Sequence, residues 1–135
     1  MLKSSLFAAI LLAAAAQAQA QTPAPATPPA GGQADMMHMM TLGAHNQLGV
    51  LQFCQGKGFI AADTVALQQK MIGMLPPSSS DGVDAAEATG KTGVVSFGGT
   101  QTSLEDAAKT QNTTVAALCG KLAAALAQAA KSMPQ

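Results

Sequence analysis

The sequence predicts an all-α protein, a small bundle of three to four helices held by one disulfide. Three observations carry that prediction. Apolar residues recur at three- and four-residue steps in successive segments between residues 35 and 133, the period of one helix face. Clusters of glycine and proline punctuate those segments. The chain has two cysteines, Cys54 and Cys119, one beside the first apolar stripe and one beside the last.

The N-terminal stretch reads as a secretory leader. Met1-Leu2-Lys3 is a short positive start, and the unbroken apolar run LFAAILLAAAA follows from Leu6 to Ala16. Two small-x-small sites come next, Ala16-Gln17-Ala18 and Ala18-Gln19-Ala20, which completes the tripartite pattern of a cleavable signal at 1–20. Cleavage after Ala20 leaves Gln21 first. The run is shorter than the ~20 residues a membrane span needs, and no later segment is long and apolar enough to span. Residues 21–34, QTPAPATPPAGGQA, hold four prolines and two glycines and read as an extended linker. The domain proper is expected over 35–133.

Asp35 is placed to cap the first helix, since its carboxylate accepts from the free amides of a first turn. Met37, Met40, Ala44, Leu48 and Leu51 then mark one face, with Cys54 a turn further on, and Gly56-Lys57-Gly58 suits a left-handed helix end. A second helix is expected from Ala61 to Leu75, with Asp63 in its first turn and Leu67, Met71 and Met74 along its stripe. Pro76-Pro77 ends it. Val83 to Thr89 suits a short helix, and Val94-Val95-Ser96-Phe97 a short extended piece. Thr102-Ser103-Leu104-Glu105 has the form of a capping box, with Ser103 and Asp106 as an alternative frame. A long helix from about Ser103 to Met133 should follow, burying Leu104, Ala108, Val115, Leu118, Leu122, Leu126 and Ala129.

An exported chain meets an oxidising compartment, which favours pairing Cys54 with Cys119. Closing a loop of that length contributes about 4 kcal/mol in the chain-entropy account. The core is rich in alanine and poor in large side chains, so a covalent restraint has structural value here.

Composition excludes several functions. Seven lysines balance seven acidic residues and there is no arginine; without Lys3 the balance is six against seven, a formal charge of −1. Such a chain lacks the electrostatic footprint that nucleic acid requires. Four phenylalanines and no Trp or Tyr give no platform for stacked bases. Ala85 to Thr92, AAEATGKT, fits a relaxed phosphate-loop pattern. That motif needs a strand before it and a helix after it, so the match reads as accidental and no nucleotide is expected. No Ser/His/Asp order or carboxylate pair at helical spacing points to catalysis, and no enzyme is expected. Asn112-Thr113-Thr114 fits a glycosylation sequon, read here as chance.

Met36-Met37-His38-Met39-Met40 is the most unusual stretch, with His45 seven residues beyond His38 on the same helical face. Three uses compete for it. Met37 and Met40 belong to the apolar stripe. Methionine also serves adaptable binding surfaces. Thioethers and imidazole are soft ligands for Cu(I) or Ag(I), which makes Met36, Met37, His38, Met39, Met40 and His45 the candidate metal ligands.

NQLGVLQFCQGKGFI at 46–60 and SLEDAAKTQNTTVAALC at 103–119, with KMIGMLP between them, resemble a group of small exported proteobacterial proteins. That group shares the two-cysteine layout, and some members are labelled pore-forming and ESAT-6-like. The resemblance covers most of residues 35–130 and implies a helical protein that acts on membranes. ESAT-6-type hairpins carry a W-x-G turn; this chain has no Trp, and no functional residue carries over. In its plan (small, exported, helical, one disulfide) the chain also resembles periplasmic acid-stress chaperones.

The expected function is therefore that of a non-enzymatic protein of the periplasm or exterior, without a cofactor. It would act through apolar helix surface on a membrane or a protein partner, with pore formation implied by the resemblance. A periplasmic acid-stress or envelope chaperone and a soft-metal binder are the alternatives.

Overall fold

A computed structural model describes residues 32–133. The predicted leader at 1–20 and nearly all of the linker lie outside the described residues. Five helices and one hairpin follow in the order α1 (Gln33–Gly56), α2 (Ala62–Ile72), α3 (Val83–Lys91), β1 (Val94–Phe97), β2 (Thr100–Ser103), α4 (Leu104–Thr110) and α5 (Val115–Lys131). The protein is mostly helical, as predicted. It departs from an all-α bundle of three to four helices by the hairpin and by a division of the last helix into two.

Helix α1 starts two residues earlier than the 35–133 domain boundary, because Gly32 takes the capping position. Asp35 lies inside the first turn instead of capping it. Its carboxylate there still faces the positive end of the helix dipole. At the other end the glycine rule holds: Gly58 adopts φ +74°. Its N–H donates to Gln55 O at 2.8 Å, and the Phe59 N–H donates to Cys54 O at 2.9 Å. This pair of bonds satisfies carbonyls the helix leaves free.

The buried side of α1 is confined to its second half, from Asn46 to Cys54. Met40, expected on the buried face, is 54% exposed. The first half of α1 extends past the helices that pack on the second, so its stripe lacks a full cover. Helix α2 ends at Ile72, short of Leu75, and turns Val65 and Gln68 to the interior. Leu67, Met71 and Ile72 pack at the edge of the core, while Met74 is exposed.

Gly98 and Gly99, with φ of +56° and +84°, form the two-residue turn of an antiparallel hairpin in which Val94 pairs with Ser103 and Phe97 with Thr100. Positive φ at both central residues matches the twist of paired strands. Ser103 then caps α4: its Oγ accepts from the Asp106 N–H at 3.0 Å and donates to the Asp106 carboxylate at 2.7 Å. The Ser103–Asp106 frame therefore prevails over the Thr102–Glu105 box.

The predicted single helix from Ser103 to Met133 breaks at 111–114, and α4 and α5 meet at 103°. Asn112 takes φ +48°, and the Thr114 hydroxyl accepts from the Ala117 N–H at 3.1 Å to start α5. Asn tolerates the left-handed region and Thr is a preferred cap, so N-T-T serves as a stop followed by a start. Ala129, expected to be buried, is exposed after the bend.

Two buried clusters form the core. One holds Val50, Cys54, Leu104, Ala108, Leu118 and Cys119. The other holds Leu48, Leu51, Val65 and Leu126. The Cys54–Cys119 disulfide lies within the first, fully buried, and joins α1 to α5 across a Cα–Cα distance of 5.7 Å.

Helices α1 and α3 approach each other closely, backbone to backbone. A Cβ on Gly49 would collide with Glu87 O and come within 2.8 Å of Lys91 N. A Cβ on Gly90 would collide with Asn46 O and come within 2.7 Å of Val50 N. The two backbones touch where neither residue has a side chain.

Gly49→Ala or Gly90→Ala should destabilise the fold by about 2 kcal/mol or more, because backbone cannot move aside as a flexible side chain would. Gly120 in α5 faces open space, so Gly120→Ala should raise stability by ~0.5–1 kcal/mol. Urea denaturation midpoints of the three variants check both signs together. Cys54→Ala should lower the melting temperature on the order of 10 °C or more, given about 4 kcal/mol for the ring the bridge closes. A melting curve unchanged by reductant would show the bridge to be dispensable.

Candidate functional site

Asn46 organises the region around the α1–α3 contact. It is 2% exposed, and its side chain makes three hydrogen bonds. Nδ2 donates to Ala86 O at 3.1 Å and to Val94 O at 3.0 Å, while Oδ1 accepts from the Ser96 N–H at 2.8 Å. The amide thus occupies the outer edge of β1 as another strand would. An edge that pairs with Asn46 is closed to further strands.

This fixes the hairpin beside α1 and leaves a groove of about 460 Å³ between them. Met39, Met40, Ala44 and Val50 line the α1 side, Val95 and Phe97 the hairpin side, and Leu75 and Leu122 the floor and far wall. Phe97 stands at the rim, 74% exposed. Beyond Gln47 and Leu75 the groove continues into a recess of about 370 Å³ between α2 and α5, lined by Met71, Ile72, Leu126 and Met133 among others. No charged residue lines either part. Together they form an apolar trough, rich in methionine, along one side of the protein.

The six soft-ligand candidates lie in different surroundings on α1. Met39 and Met40 line the groove, and Met36 is exposed. Met37 and His38 border a different recess, beside Pro77 and Ser79. There His38 Nδ1 lies 3.1 Å from Ser79 O, and Thr41 Oγ1 lies 2.6 Å from Ser78 Oγ, which ties the loop after α2 to the start of α1. His45 faces α3 instead, its Nδ1 3.6 Å from Glu87 Oε2, an ion-pair distance longer than a hydrogen bond. Among the described residues no group of three or more His, Cys, Asp or Glu is placed to hold a metal.

The phosphate-loop lookalike has structural occupations. Gly90 is the contact point with Gly49, and Lys91 Nζ lies 2.9 Å from Glu87 Oε1. That hydrogen bond holds the Glu87 carboxyl below its usual 4.5. Partial burial works in the opposite direction, and Gln52, the Lys91 charge and His45 add to the lowering.

Sequence reasoning found Met39 and Met40 but missed Val95, Phe97 and Asn46. The signal for the first two was present: four strand-forming residues, then Gly-Gly, then a second polar strand. A single buried Asn on a helix has no such signal. Comparisons with protein-family models, curated proteins and solved structures find no match for the chain.

A folded-state carboxyl that is more acidic than in the unfolded chain stabilises the fold above the ordinary carboxylate range and ceases to do so as pH falls through its lowered value. Glu87→Gln should therefore be less stable than the wild type at neutral pH. Its deficit should shrink as pH falls below the ordinary carboxylate range and through the lowered value of Glu87, where the wild-type carboxylate also takes up a proton. Chemical denaturation at a series of pH values measures the difference; a deficit independent of pH would remove the electrostatic explanation.

Proposed function

We propose that this is a non-enzymatic exported protein that uses the apolar trough to hold an apolar segment of a protein partner. One observation carries the reading: a methionine-lined groove of about 460 Å³, free of charged residues, lies open beside an exposed phenylalanine. Soluble proteins seldom leave a large apolar surface exposed without a use for it. The volume falls within the range of about 300–1,000 Å³ of ligand-holding clefts. Methionine walls adapt to differing side chains, which suits a partner defined by its apolarity. The buried disulfide accords with an oxidising compartment and so supports export.

The concave shape favours an inserted chain segment over a flat bilayer. No single described helix is long and apolar enough to cross a membrane. Helices α4 and α5 have the length only as a pair, and they are bent by 103°. Pore formation by this fold would require that corner to open while the bridge from α1 still holds α5.

The neutral probe Nile red should bind the protein saturably and compete with apolar helical peptides. Phe97→Asp, at an exposed rim position, should weaken both on the order of fivefold or more without changing the melting temperature. Dye-loaded neutral and anionic vesicles should remain intact at neutral and acid pH. Leakage from the vesicles together with no Nile red binding would replace this reading with the pore-forming one.

A further inference from the structure

We infer that the thioethers of Met39 and Met40 are a modification site for two-electron oxidants, and that their conversion to sulfoxides shuts the groove to apolar ligands. The second half of the inference rests on the proposed function; the first does not.

The chain directs such oxidants to methionine by leaving them few other targets. It has no Trp and no Tyr. Both cysteines are spent in a disulfide that is 0% exposed. The thioethers of Met39 and Met40, by contrast, belong to residues 49% and 54% exposed. Met37 and Met71 are less exposed than these, so the molecule holds its own slower-reacting references. Met36 and Met74 are as exposed as Met39 and Met40 but do not line the groove.

With hypochlorous acid the chemistry balances without the help of any residue. A sulfur lone pair attacks chlorine; the S–Cl bond forms and the O–Cl bond breaks, releasing hydroxide. Water then displaces chloride at sulfur. The net products are one sulfoxide, one chloride and one proton; sulfur has lost two electrons and chlorine has gained them. A methionine sulfoxide reductase returns the thioether at the expense of two thiols, which leave as a disulfide and water.

The sulfoxide oxygen is a strong acceptor placed on an apolar wall. The buried polar group in that wall cannot receive it, because both Nδ2 hydrogens of Asn46 are committed to Ala86 and Val94. The oxygen keeps water beside it or turns to the half-buried Gln47 and Ser96 side chains, which also line the groove, and an apolar ligand must displace that polar cluster to enter. Exposed Met36 and Met74 can oxidise without that consequence.

The test treats the protein with increasing hypochlorous acid, locates added oxygen by fragment-ion mass spectrometry, and titrates Nile red before and after. Met39 and Met40 should oxidise ahead of Met37 and Met71, and Nile red binding should weaken on the order of tenfold, with helical circular dichroism unchanged. Methionine sulfoxide reductase with dithiothreitol should restore it. Met39→Leu/Met40→Leu, a volume-conserving pair of changes, sets its own baseline: the Nile red affinity it has before the same treatment should be unchanged after it. Oxidation of Met71 as fast as Met39 would overturn the site, and equal loss of binding in the Leu variant would overturn the link to the groove. If the untreated protein does not bind Nile red, the proposed function fails, while the order of oxidation still decides whether the site exists.

Discussion

Two residues without side chains, Gly49 on α1 and Gly90 on α3, set the distance between their helices. At that distance backbone meets backbone, and the carbonyl of Ala86 comes within reach of the Asn46 amide. The same amide takes hold of β1 through Val94 and Ser96. The hairpin stands where it does because of that hold, and the groove is the space it leaves against α1. A wider spacing between α1 and α3 would break the Asn46 bonds and with them the wall that carries Val95 and Phe97. The organisation of the candidate site thus rests on close approach more than on apolar area, which an alanine-rich chain supplies sparingly.

The disulfide holds the other end. It joins the second half of α1 to the start of α5 within the cluster formed with Val50, Leu104 and Leu118. The two restraints divide α1 between them: Gly49 meets α3, and Cys54 meets α5. What remains of α1, its methionine-bearing first half, is braced mainly by the loop bonds of His38 and Thr41. Exposed methionines follow directly from that division of labour.

The parts of this fold that were legible in the sequence are those set by local chemistry. The period of Leu48 and Leu51, the glycine after α1 and the pairing of Cys54 with Cys119 all depend on neighbours in the chain or on compartment. Of the hairpin, the extended piece Val94–Phe97 is legible and its partner strand Thr100–Ser103 is not, because those polar residues read as the start of the following helix, although Gly98-Gly99 between two extended stretches specifies a turn. The long final helix was over-extended because its apolar period continues across Asn112 and Thr114, which separately stop one helix and cap the next. Asn46 and Gly90 were opaque for a different reason. Their roles exist only once α1 and α3 lie together, and nothing along the chain encodes which partner a glycine will touch. For the candidate site, Met39 and Met40 stand out as unusual residues, but their wall-mates Val95 and Phe97 belong to a piece legible only as extended, with nothing in the sequence to place it beside α1.

The cysteine pair has a mechanical side as well. The bridge spans 65 positions of sequence, and three helices and the hairpin fall between its ends. A pull applied between the two termini passes from Cys54 straight to Cys119 through the sulfur atoms. The intervening chain, roughly 220 Å of contour at ~3.4 Å per residue, carries no load. Groove and hairpin wall depend on α1, so tension that strips the first turns of α1 would dismantle the site while most of the enclosed chain remained unstretched. If the protein hangs by its N-terminal segment from a larger assembly, the methionine-lined end is where force would arrive first.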